Sequence, residues 1–168
     1  MKRFHVRTIT ALGLLISIEI VLSRFCTINA WNLKIGFNFL PVVIAAIFFG
    51  PLASATVAAL GDFLGAVLFP IGPYFPGFTL TAFCTGLVFG LFLHKSQKLP
   101  RITFAVVVNQ LVLSLCVNSL WISILYGSPY VVLLSTRLIQ CAILGPIQLV
   151  SITLLVQVLS RHRKQVLA

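Results

Sequence analysis

Residues 35–94 read IGFNFLPVVIAAIFFGPLASATVAALGDFLGAVLFPIGPYFPGFTLTAFCTGLVFGLFLH, sixty residues with a single charge, Asp62. A soluble domain carries roughly 25% charged residues, so a run of this length cannot cover a water-facing surface. Gly and Pro interrupt it at Gly50-Pro51 and again between 70 and 77. Long apolar runs cut in this way read as consecutive membrane spans.

The same reading extends to both sides. Arg101 and Arg137 enclose 35 uncharged residues, and the chain closes on Arg161-His162-Arg163-Lys164. Over all 168 residues, 60% are hydrophobic and 8% charged, with a mean hydropathy of +1.12. The expectation is an all-α integral membrane protein, one membrane domain over 1–168, with about six transmembrane helices near 6–23, 38–50, 51–69, 78–94, 102–125 and 131–159. The second is short for a full span, so it is tilted or partly embedded. The basic start before an apolar run resembles a signal peptide. However, Glu19 interrupts that run and no small-x-small cleavage site follows, so the first helix is read as retained.

Twelve Lys and Arg against two acids give a net charge of +10. In a soluble protein that excess would point to nucleic acid. In six spans it has another explanation. Lys2, Arg3 and Arg7, then Lys95, Lys98 and Arg101, then Arg161, Arg163 and Lys164 all fall on one side of the membrane. That side is cytoplasmic by the positive-inside rule. Both termini are then cytoplasmic, and loops 24–37, 70–77 and 126–130 lie outside. Orientation accounts for nine of the twelve basic residues, and no nucleic-acid partner is needed. The expected location is the cell membrane, in a multi-pass arrangement.

Much chemistry is absent. There is no GxxxxGK[ST] phosphate loop, no HExxH and no GxSxG. Cys26, Cys84, Cys116 and Cys141 show no CxxC spacing, so zinc and iron–sulfur sites have no support. Two acids are too few for most acid–base catalysis. The chain is read as a non-enzyme without cofactor or metal, whose work is binding or conduction.

Ionisable residues inside a bilayer are costly and mark function by default. Glu19, Asp62 and Arg137 are three such residues, and the topology places all of them toward the outer face. Asn118 and Trp121 join them, as do Arg24, Asn29, Trp31, Lys34 and Asn38 around the first outer loop. This convergence predicts a binding cavity open to the outside. Alternatives stand beside it. Asp62 or Glu19 pairs with Arg137 or caps a broken helix, and Trp31, Trp121, Tyr74 and Tyr130 form an interfacial aromatic belt. Gly61-x-x-x-Gly65 and Gly86-x-x-x-Gly90 read as close helix packing, and Pro146 after Gly145 is expected to bend the last helix.

Phe49-Gly50-Pro51 followed by Gly61-Asp62-Phe63-Leu64-Gly65 resembles the second-to-third helix region of vitamin-binding S components of energy-coupling factor (ECF) transporters. Tyr74-Phe75-Pro76-Gly77-Phe78-Thr79-Leu80-Thr81-Ala82-Phe83, continuing to Gly86 and Gly90, resembles the folate-specific members. The resemblance covers essentially the whole chain. It implies a membrane subunit that captures folate outside and works with a transmembrane coupling protein and two cytoplasmic ATPases. The family often carries Ala-x-x-x-Ala on helix one for docking. Here Ala11 is followed by Leu15, while Gly13 and Ser17 form a small-x-x-x-small pair one face over.

Folate combines two carboxylates, an aryl ring and a hydrogen-bonding pterin. Carboxylates suit arginine forks, and flat rings stack on aromatic side chains. The expected substrate-binding set is Arg24, Asn29, Trp31, Lys34, Asn38, Asp62, Tyr74, Phe75, Asn118 and Arg137. The rival readings are an S component for another vitamin, such as riboflavin, and a small membrane scaffold or channel with no tight ligand.

Overall fold

The computed structural model describes residues 6–30, 33–70 and 72–166. Its first helix, α1, is Val6–Arg24. A short antiparallel hairpin follows, with β1 at Thr27–Ala30 and β2 at Leu33–Gly36. Next come α2 (Phe39–Phe49), α3 (Pro51–Leu68) and α4 (Pro76–Leu93). A continuous rod then runs over Leu99–Tyr126. It comprises α5 (Leu99–Val107), a π-helical stretch (Val108–Val117) and α6 (Asn118–Tyr126). The last helix, α7, is Tyr130–Val166.

Five of these helical segments are long and apolar enough to cross a membrane. The sixth, α2, has 11 residues. At 1.5 Å per residue it covers about 16 Å of a hydrocarbon layer of about 30 Å, as its length in the sequence indicated. Gly50 ends it with φ +90°, a conformation that favours glycine, and Pro51 opens α3 at once.

One segment departs from the all-helical reading. Residues 27–36 pair as strands in the register Thr27↔Gly36, Ile28↔Ile35, Asn29↔Lys34 and Ala30↔Leu33. The alternation in this stretch was too short to stand out from an ordinary loop. The hairpin satisfies the backbone polar groups of a segment beside the membrane without adding a span. Pro146 lies inside α7, which continues as helix past it to Val166.

The two halves of the bundle are filled differently. Toward the α4–α5 connection lies the apolar core, with Val43, Ala46, Val57, Phe89, Ile102 and Ile152 among its buried members. Helices α3 and α4 meet there without side chains between them. A Cβ on Gly86 would collide with the backbone of Ser54 and Ala55, and one on Gly90 with Pro51. The buried Ser54 hydroxyl donates to the Gly86 carbonyl at 2.7 Å. Small residues and an interhelical hydrogen bond are the usual means of association where the solvent is itself apolar. The outer surface is correspondingly greasy, with Val6, Leu52, Leu91 and Ile139 exposed.

Toward the opposite end the core gives way to a cavity. The end of α1 (Arg24), the end of β2 (Gly36), the 70–77 connection (Gly72, Pro73) and the α6–α7 turn (Ser128) all border it. These are the loops expected outside. Ser128→Cys in a cysteine-free background therefore reports orientation. We expect a membrane-impermeant thiol reagent to label it from outside intact cells. Labelling only in inverted vesicles would reverse the topology.

Candidate functional site

The cavity has a volume of about 870 Å³, within the range of sites that enclose a small organic ligand. It also runs along much of one rod, since Tyr126 at the mouth and Asn109 within, 17 positions apart, both line it.

The wall is built from recognisable pieces of sequence. Phe75 caps the start of α4 and Pro76 begins it. Gly77 has no side chain, and a Cβ there would strike the rings of Phe75 and Trp121. Those rings therefore approach each other, with centroids 5.5 Å apart, and Phe78 lies 6.1 Å from Phe75. Trp121 Nε1 donates to Thr81 Oγ1 at 3.0 Å, which fixes the indole across α4 and α6. The Phe75–Thr81 stretch thus makes an aromatic wall close to the mouth.

A polar network sits beside it. Thr79 Oγ1 donates to Asp62 Oδ2 at 2.9 Å and lies 3.2 Å from the Tyr74 hydroxyl. Arg24 Nη2 donates to the Asp62 carbonyl oxygen at 3.5 Å. The guanidinium runs over Gly65, where a Cβ would come within 2.9 Å of Nε, and that Nε has no hydrogen-bond partner. Gly61 accommodates the Glu19 carboxyl in the same way. The Gly61-x-x-x-Gly65 pair was expected to bring helix backbones together. The structure shows that its bare positions receive two charged side chains of α1, Glu19 and Arg24.

The far wall belongs to the fifth and last spans. Asn109, Gln110, Ser114 and Asn118 line the cavity along the π-helical stretch and its exit. Asn109 Oδ1 accepts from Thr85 Oγ1 at 3.0 Å. Cys141 Sγ donates to the Gln110 carbonyl at 3.4 Å, tying α7 to the π-helical backbone. Wide π turns recur at functional sites. Arg137, Gln140 and Gln148 complete this wall from α7. Gln110 Oε1, Asn118 Oδ1, Gln148 Oε1 and the Nε and Nη1 of Arg137 are buried without a hydrogen-bond partner. Such groups cost free energy unless a ligand or water meets them.

Of the residues singled out in the sequence, Arg24, Asn38, Asp62, Tyr74, Phe75, Asn118 and Arg137 border this one cavity. Trp31 lies outside the described residues, and for Asn29 and Lys34 only the strand backbone is described. On α1, Leu15 is buried in the core, Ala11 is half-buried, and Gly13 and Ser17 are exposed. Sequence reasoning did not select Thr81, Thr85, Asn109, Gln110, Gln140 or Gln148. Their signal was present as uncharged polar residues in apolar spans, a weaker mark than a charge.

A cavity of mixed aromatic, aliphatic and polar lining that opens at one end of a small membrane bundle is suited to holding a small solute. Residues 7–156 match the family described as ECF transporter, substrate-specific component. The chain belongs to this family. Relatives of this S component include the folate transporter FolT of Clostridium novyi (strain NT). It is 39% identical over 153 residues, which cover 90% of this chain and 88% of that protein. The folate transporter FolT of Leuconostoc mesenteroides subsp. mesenteroides is 30% identical, with 87% and 82% covered. A crystal structure of FolT bound with folic acid superposes with a TM-score of 0.85 at 33% identity, over 90% of this S component and 93% of that chain. A structure described for the S component of a bacterial ECF transporter gives a TM-score of 0.68 at 23% identity and shares the fold.

Proposed function

We propose that this S component captures folate at the outer face of the cell membrane and passes it inward with a transmembrane coupling protein and two cytoplasmic ATPases. The observation that carries the reading is the composition of the cavity along its length. Near the mouth it offers flat rings, Tyr74 and Phe75 with Trp121 behind them, and the guanidinium of Arg24. Further in it offers amides and a carboxylate, namely Asn109, Gln110, Gln140, Gln148 and Glu19. Folate has the same order of chemistry, with a dicarboxylate tail, an aryl ring and a hydrogen-bonding pterin. The kinship with proteins named folate transporters supports the same substrate.

In this reading Arg24 holds the glutamate tail, and Lys34 on β2 shares that role. Asn29, Asn38, Asp62 and Asn118 supply polar contacts along the way, with Trp31 adding a further ring. On the membrane-facing side of α1, Gly13 and Ser17 present a small-residue surface on which a coupling protein's helix docks closely.

Quenching of tryptophan fluorescence in the purified, full-length chain tests the substrate. We expect saturable binding of folate without ATP, and no comparable binding of riboflavin. Saturation by riboflavin and not by folate would move the protein to another vitamin.

A further inference from the structure

Both acidic side chains of the chain, Glu19 and Asp62, border the cavity. The other end of the bundle carries cations without an acid beside them. Lys95, Lys98 and Arg101 lie within seven positions at the α4–α5 connection, and all three are exposed. No Asp or Glu occurs between Asp62 and Ala168. The backbone of the connection is held by its own hydrogen bonds. Gln97 Nε2 donates to the Leu93 carbonyl at 2.7 Å, and the Lys98 carbonyl accepts from the N–H groups of Arg101 and Ile102 at 2.9 and 3.1 Å.

From this connection an open groove of about 410 Å³ runs along α5, lined by Leu99, Pro100, Thr103, Phe104 and Val107. These positions recur at three and four residues and so form one stripe of the helix. Ile102, Ala105 and Val106, between them in sequence, are buried in the core. Thr103 Oγ1 donates to the Leu99 carbonyl at 3.0 Å, so the one polar side chain of the groove is already satisfied. Phe104 is braced on Phe92 of α4, with ring centroids 5.1 Å apart. A lipid-facing stripe or a basic loop is ordinary in a membrane protein. Here the loop sits at the head of the groove, and the pair matches the two parts of one molecule.

We propose that this corner binds one anionic phospholipid of the cytoplasmic leaflet, with its phosphate among Lys95, Lys98 and Arg101 and an acyl chain in the α5 groove. Basic clusters at the cytoplasmic ends of helices attract anionic headgroups. A zwitterionic lipid brings its own cation to the cluster and loses that attraction. A soluble phosphate leaves the groove unfilled. The bound lipid ties the α4–α5 corner to one leaflet at the end of the bundle away from the cavity, so the site is separate from the one that takes the transported solute.

Native mass spectrometry of the purified, full-length chain tests it, with phosphatidylglycerol titrated against phosphatidylcholine of the same acyl chains. Wild type should hold one phosphatidylglycerol more tightly, by about fivefold for each cation that meets the headgroup. Lys95→Gln/Lys98→Gln/Arg101→Gln should abolish the preference. Thr103→Trp fills the groove and should weaken phosphatidylglycerol with the cations intact. A circular dichroism spectrum like that of wild type establishes that a variant is folded, and the wild-type comparison needs no variant. Equal binding of the two lipids by wild type overturns the proposal. So does tight binding of glycerol 1-phosphate, the headgroup without chains, at the affinity of the lipid. A folded Thr103→Trp that holds phosphatidylglycerol as before removes the groove from the site and overturns it. A folded triple variant that keeps the preference overturns it as well, and if that variant also fails to assemble with the coupling protein, the cations belong to a protein contact.

Discussion

Liposomes containing this S component alone will accumulate no folate against a gradient, whether or not ATP is supplied inside. Each tenfold of accumulation costs about 1.4 kcal/mol, and that work needs a coupled reaction. The chain has no GxxxxGK[ST] loop, the arrangement whose backbone N–H groups and lysine cradle a nucleotide's phosphates. No cluster of metal-ligating side chains occurs among the described residues. What the chain does present is a binding cavity and an α1 face with Gly13 and Ser17 exposed. Binding without transport is therefore its expected behaviour in isolation. Reconstitution with the coupling protein and both ATPases should turn uptake on, from background to an ATP-dependent signal, and the purified chain should hydrolyse no ATP. Concentrative uptake by the chain alone would overturn this division of labour.

Arg24→Ala is expected to weaken folate binding by about 10- to 150-fold, the equivalent of roughly 1.5–3 kcal/mol for a hydrogen bond to a charged group. The same variant should weaken pteroate, which lacks the glutamate tail, much less. The geometry favours a ligand role over an anchor to outer lipid phosphates. Arg24 borders the cavity, its Nη2 makes one long bond of 3.5 Å to a backbone carbonyl, and its Nε has no hydrogen-bond partner. An arginine that snorkels to headgroups would instead carry its whole fork to the surface. Calorimetric titration of both ligands decides. Equal losses for folate and pteroate would show that Arg24 does not read the tail, and unchanged affinity for both in a folded variant would remove it from the site.

Much of the architecture was legible because a bilayer imposes one-dimensional rules. A span needs a run of apolar residues of a given length, and cationic loops mark one side. Both can be read by walking along the chain. The helix limits at Arg24, Gly50-Pro51, Pro76 and Tyr130 follow from where charge, glycine and proline interrupt those runs. The ionisable residues of the outer half were legible for the same reason, since a charge in an apolar run stands out on its own. Arg24, Asp62 and Arg137 were selected on that ground and do border one cavity.

Which side chains face one another depends on helix rotation and not on depth, so it was set by the packing of the helices. Two glycine pairs with the same spacing do different work. Gly86 and Gly90 let α3 and α4 touch, whereas Gly61 and Gly65 make room for Glu19 and Arg24. Nothing in the spacing separates them, since each is defined by what lies opposite. The pairing of residues 27–36 as a hairpin and the π-helical register of Val108–Val117 are likewise settled by backbone hydrogen bonds that leave little trace in a short apolar sequence. Gln110, Gln140 and Gln148 line the cavity, yet as neutral residues they cost too little in a membrane to announce themselves. Six apolar helical segments, their limits to within a few residues, and the positions of the charges along them could be read from the chain alone. Only packing decided that these polar faces turn inward around one cavity, because a helix hides its polar stripe according to what its neighbours leave unfilled.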